Sequence, residues 1–119
     1  MTVTIYTYKG CDACRKALKY LAARGVEVEN KPIRETPPKQ AELKAMLGHL
    51  DGKMNKLFNT AGGDYRAMKL KDSLPDMSEA EAFALLESNG NLVKRPFLIS
   101  ESFGTVGFKE AVWDELPLS

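Results

Sequence analysis

Cys11-Asp12-Ala13-Cys14 constrains this chain more than any other feature, because it puts the only two thiols within disulfide reach between a strand pattern and a helix pattern. In the Thr2–Tyr8 run, Val3 and Ile5 alternate with Thr4 and Tyr6, the period of a half-buried strand. Gly10 permits a tight turn. From Asp12 to Arg24, Ala17, Leu18 and Leu21 form an apolar stripe opposed by Arg15, Lys16, Lys19 and Arg24, and Gly25 supplies a stop. The local order is strand, CxxC, helix.

That order favours thiol chemistry. Unsatisfied backbone N–H groups and the positive end of the helix dipole favour an anion at the first turn, which makes the more exposed Cys11 the expected nucleophile. Arg15 and Lys16 add positive charge there, and Asp12 opposes it. Cys14, one turn along, is placed to attack a mixed disulfide on Cys11 and release the reduced partner, so it is the expected resolving thiol. A structural zinc site normally needs four ligands, and the single histidine, His49, leaves this set short, so no metal is expected. There is no phosphate-binding loop and no Gly-x-Gly-x-x-Gly fingerprint, so no bound cofactor is expected either.

With 119 residues the chain fits one domain, 1–119, long enough for a core without disulfide staples. A net charge of +1 gives no global attraction to nucleic acid or an acidic membrane, so an acidic partner would have to meet a local patch. A signal peptide pattern and an eighteen-residue apolar run are both missing, which points to the cytoplasm and a CxxC normally kept reduced. A monomer is expected.

Beyond Gly25, Val26 and Val28 alternate with Glu27 and Glu29 as a second strand, leading into Lys31-Pro32-Ile33-Arg34 and completing a βαβ unit. Thr36-Pro37-Pro38 suits a helix start, and Leu43, Met46, Leu47 and Leu50 make the next stripe. Tyr65, Met68 and Leu70 suggest a short helix, and Ser78-x-x-Glu81 is a capping box before Phe83, Leu85 and Leu86. Phe97-Leu98-Ile99 and Thr105-Val106-Gly107 read as a hairpin. Ala111, Val112 and Leu116 are the expected inner face of a last helix, with Trp113 partly packed. The sum is an α/β chain: a thioredoxin-like core, βαβ then ββα, with a helical insertion over approximately 37–92.

Tyr6-Thr7 before Cys11-Asp12-Ala13-Cys14-Arg15-Lys16-Ala17, Glu35-Thr36-Pro37-Pro38, Leu57-Phe58-Asn59-Thr60 and Lys94-Arg95-Pro96-Phe97 resemble the arsenate reductase-like (ArsC) superfamily, Spx/MgsR branch. Val106-Gly107-Phe108-Lys109-Glu110 extends the resemblance to the last helix. It implies a thioredoxin-like fold with an inserted helical subdomain and a cis peptide at Arg95-Pro96. It also implies that Arg95 stabilises a thiolate or anion beside Pro96, and Arg15 and Arg66 are candidates to complete a substrate-binding anion site with them, against a solvated surface position for Arg66. Arsenate reductases of the family surround the oxyanion with three arginines, of which Arg95 is matched here, while Asn59 and Gly107 stand at the other two positions. Efficient arsenate reduction is therefore not expected. Two functions follow from the resemblance. One is a thiol–disulfide oxidoreductase acting on a disulfide or glutathione adduct, with glutathione or a thioredoxin/glutaredoxin system as electron donor. The other is a redox-sensing transcriptional regulator that binds the RNA polymerase alpha subunit. The chain stops at Ser119 without a charged extension, which shifts the expectation toward the oxidoreductase.

Overall fold

The computed structural model describes residues 3–118. β1 (Thr4–Thr7), α1 (Asp12–Ala23) and β2 (Glu29–Pro32) form the opening unit, with β1 and β2 parallel and Ile5 beside Asn30. β3 (Phe97–Ile99) pairs antiparallel with β1, setting Leu98 opposite Ile5, and β4 (Gly104–Val106) closes a hairpin with β3. The order β2-β1-β3-β4 places β1 and β3 at the centre of the sheet. Phe97, Leu98 and Ile99 are accordingly all buried, as a strand covered on both faces requires.

Successive strand side chains point to opposite faces, and the two faces carry separate cores. Val3, Ile5 and Leu98 pack with Ala17 and Leu21 of α1, with Phe103, and with Trp113 of α6 (Glu110–Trp113). Tyr6, Phe97 and Ile99 face the other way, against Leu43, Met46, Leu57, Phe58, Phe83 and Leu86. These last residues belong to the insertion: α2 (Gln40–His49), α3 (Gly63–Ala67), α4 (Leu70–Ser73) and α5 (Glu79–Ser88), joined through 3-10 turns at Met54–Leu57, Leu74–Asp76 and Gly90–Leu92. The fold is thioredoxin-like with a helical insert.

Local signals act as their chemistry dictates at two helix ends. At the start of α5 the Glu81 N–H donates to Ser78 Oγ at 3.1 Å and the Ser78 N–H to Glu81 Oε1 at 3.2 Å, so the capping box forms. At the end of α1, Gly25 adopts φ +70°, the Val26 N–H donates to Leu21 O and the Gly25 N–H to Ala22 O. This is a Schellman closure.

That closure moves the second strand. Val26 and Val28 were the expected start, but the Val26 N–H is held by α1, and the first tie to β1 is the Glu29 N–H on Val3 O at 2.9 Å. The two valines pack half-buried on the α1 side, and the ladder runs through the polar Glu29–Pro32. The last helix also differs. Trp113, expected to be partly packed, is 1% exposed, while Val112, expected inside, is 45% exposed. A single helical turn has too few residues for periodicity to choose its face, and the indole wins by packing on Phe108 and Tyr20 and donating from Nε1 to Gly107 O at 3.1 Å.

Among the described residues no helix is long and apolar enough to cross a membrane. Neither do three or more His, Cys, Asp or Glu side chains converge as a metal site there.

Candidate active site

β1 delivers the chain into a turn closed by the Cys11 N–H on Tyr8 O at 3.0 Å, and Cys11 becomes the N-cap of α1. Its backbone is extended there, and its sulfur takes the place of a capping oxygen: the Cys14 N–H donates to Cys11 Sγ at 3.3 Å. One otherwise orphaned helix N–H is thus aimed at the Cys11 sulfur. Both cysteines are free thiols, Cys11 partly exposed and Cys14 buried behind it. Burial pushes the Cys14 thiol up to about 12, and its contact with the Cys11 side chain adds to the rise. A backbone hydrogen bond from Tyr8 and the charge of Arg95 pull in the opposite direction.

Arg95 and Pro96 arrive from the loop before β3, joined by a cis peptide bond, and Pro96 is buried. The Arg95 guanidinium lies 5.1 Å from the centre of the Tyr8 ring, within cation–π range. Its Nη1 is buried without a hydrogen-bond partner among the described residues. Arg34 also stacks on Tyr8, at 4.1 Å, so two guanidinium groups meet one ring. That ring lies over Gly10, where a Cβ would come within 2.6 Å of Tyr8 Cε2. Arg15 sits on the exposed side of α1, bonded to Lys9 O at 2.9 Å and paired with Asp12. Arg66 is on α3, where its Nη2 donates to Ala61 O at 3.1 Å. It lines neither cleft described below. His49 ends α2, exposed.

One cleft takes in Cys14, and a second meets the CxxC segment at Ala13. The first, of about 640 Å³, is lined by Cys14, Arg15, Tyr8, Asn30 and Glu35 among others. The second, of about 580 Å³, begins at Ala13 and Arg95 and is lined also by Lys56, Lys94, Lys109 and Gly107. Gly107 holds φ +73°, and a Cβ built there would sit 3.4 Å from Lys94 Cε. The stem of Lys94 therefore runs beside the position where the resemblance leads one to look for an arginine. The three lysines, Tyr8 and Arg34 were all missed from the sequence. Lys94, adjacent to Arg95, carried the only local signal; the others converge from distant parts of the chain.

The chain as a whole is similar to known proteins. The model of the ArsC family matches residues 6–116. A protein of Bacillus subtilis strain 168 named "Uncharacterized protein YusI" is 44% identical, the match covering 97% of this chain and 98% of the relative. "Global transcriptional regulator Spx" of Listeria monocytogenes is 28% identical, over 91% of this chain and 81% of that protein. The crystal structure of an ArsC family related protein from Bacteroides fragilis superposes with a TM-score of 0.89 at 40% identity, over 96% of each chain.

Proposed function

This chain belongs to the ArsC family, and we propose that it is a small cytoplasmic thiol–disulfide oxidoreductase. The observation that carries the proposal is the Cys14 N–H donating to Cys11 Sγ at 3.3 Å, with the Cys14 thiol buried directly behind. The Cys11 thiolate attacks one sulfur of a disulfide RSSR′, forming a Cys11–S–S–R bond and expelling R′S⁻, which takes up a proton. Cys14, losing its proton, then attacks Cys11 Sγ and expels RS⁻, leaving a Cys11–Cys14 disulfide. Two electrons pass from the protein to the substrate. Two more, from glutathione or a thioredoxin/glutaredoxin system, restore the dithiol. Arg95 supports the reaction by its positive charge, which favours the Cys14 thiolate.

The test follows NADPH consumption with hydroxyethyl disulfide, glutathione and glutathione reductase, with Cys11→Ser as the blank. Turnover well above the blank is expected, and Cys14→Ser should accumulate a mixed disulfide on Cys11. Arsenate with glutathione and glutaredoxin is assayed in parallel. Arsenate turnover without disulfide turnover would overturn the proposal.

The likeness to Spx favours one second reading, a redox switch in which Cys11–Cys14 oxidation governs binding to the RNA polymerase alpha subunit. Reversible oxidation without catalytic turnover, together with non-covalent capture of the purified alpha subunit, would select it.

A further inference from the structure

Lys56, Lys94, Arg95 and Lys109 line the cleft that opens beside Ala13, and none of its lining residues is acidic. They come from the 3-10 turn after α2, the loop before β3 and the cap of α6. The salt bridges among the described residues are Arg15–Asp12, Arg24–Asp114 and Lys31–Glu29, so no carboxylate neutralises these four cations. Like charges gathered in one concave site focus a positive potential and repel one another, and both effects favour an anionic ligand. Arg95 adds a buried donor, Nη1, that has no hydrogen-bond partner among the described residues.

The type of cation decides what kind of anion fits. A compact oxyanion is best held by several planar guanidinium forks, and Arg95 is the one fork lining this cleft. The remaining charges are lysine ammonium groups, point charges on flexible stems, which suit separate carboxylates along a longer molecule. Gly107 leaves its part of the wall without a side chain, and Lys94 passes alongside. Its φ of +73° suits glycine and would strain an arginine, so the lysine stem is the way charge reaches this point.

We propose that this cleft binds the carboxylates of the disulfide substrate, so that the protein acts on carboxylate-bearing disulfides in preference to neutral or cationic ones. Lys94 and Arg95 take the carboxylate nearest the reacting sulfur, and Lys56 and Lys109 set the preference for further acidic groups. The inference rests on the oxidoreductase reading for its chemistry and on the cleft alone for its binding.

The experiment therefore has two arms. In single turnovers, reduced protein is mixed with 3,3′-dithiodipropionate, hydroxyethyl disulfide or cystamine, and loss of the two protein thiols is followed by mass after acid quench. The acidic disulfide should react about tenfold or more faster than cystamine at low salt, with the ratio shrinking as salt is raised. In Lys56→Gln/Lys94→Gln/Lys109→Gln that ratio should collapse toward unity, and being an internal comparison it is independent of the variant's overall rate. In the second arm, Cys11→Ser is titrated with 3,3′-thiodipropionate, a dicarboxylate thioether with no S–S bond. Saturable amide shifts at Lys94, Arg95 and Gly107 are expected, with none from neutral thiodiglycol. Equal rates for acidic and cationic disulfides, or no shifts from the thioether, would overturn the subsite and leave the oxidoreductase reading standing. Thioether binding with no reaction of any disulfide would keep the subsite and sink the oxidoreductase.

Discussion

At the scale of single residues, the surroundings of Cys11 and Cys14 differ, and the proposed division of roles rests on that difference. Cys11 caps a helix at the surface, whereas Cys14 is 1% exposed and its thiol is held protonated by burial. Iodoacetamide should accordingly modify Cys11 faster than Cys14 at neutral pH, as peptide mass analysis would show; equal rates would remove the division of roles. The Cys14 shift also has a stability consequence. A cysteine with the reference value of 9.0 in the unfolded chain loses its proton there first, while the native thiol keeps it to about 12. The native state then binds more protons across that window, so stability is fully present below pH 9 and lost as the pH rises toward 12. Urea melts of the reduced protein at increasing pH should show this decline, and Cys14→Ala should show less of it. Tyr8 acts on the same site through its neighbours, since its ring carries the Arg95 guanidinium and its carbonyl holds the Cys11 N–H. Tyr8→Phe should keep near-native rates of disulfide reduction and Tyr8→Leu should slow them, because the ring face is the contact.

Elements are held by a few specific closures. Ser78 caps α5 with its hydroxyl, and Ser78→Ala should cost about 1 kcal/mol in urea unfolding. Gly90, where the insertion returns to the sheet, is a stricter position. A Cβ there would lie 1.9 Å from Ile33 O, so the backbone of the returning segment touches the end of β2 directly. Gly90→Ala must push these segments apart and should destabilise by roughly 1–3 kcal/mol or more, the range for overpacking in tight sites. Loss smaller than that of Ser78→Ala would show that the contact yields easily. β2 itself has a polar sequence and an edge position, and is placed by pairing with β1 rather than by burial of its own side chains.

The whole molecule is one sheet with a core on each face, and β1 and β3 contribute to both. Leu98 sits in the core shared with α1 and α6, one residue from Phe97 and Ile99, which face the insertion. Leu98→Ala should cost about 2–5 kcal/mol, and Trp113 fluorescence and far-ultraviolet circular dichroism should still report a single transition. Two separated transitions would mean that the insertion unfolds independently. A polar path also joins the insertion to the candidate active site. Asn89 and Asn91 donate to Asp64 Oδ2 at 3.0 and 3.3 Å, Arg34 donates to Asn91 Oδ1 at 2.5 Å, and Arg34 shares the Tyr8 ring with Arg95.

What the sequence determined by itself was local or repeated: the strand before Cys11, the helix after it, the Gly25 stop and the Ser78 box are each specified within a few residues of chain. The order of these local patterns, βαβ then helices then ββα, already carried the thioredoxin-like frame, and family motifs spread along the chain added the cis bond before Pro96, which neighbouring residues do not specify. Tertiary structure decided the rest where local preference was weak or the partners were remote. Val26 and Val28 have strand character, but the hydrogen bonds closing α1 claimed the first of them. In α6 a single turn left the inward face to whichever side chain packed best, and that was Trp113. Lys56, Lys94 and Lys109 look like ordinary solvated lysines in the sequence, and only the folding of a turn, a loop and a helix cap around Gly107 gathers them beside Arg95. Charge convergence depends on distances in space between segments that no local pattern links.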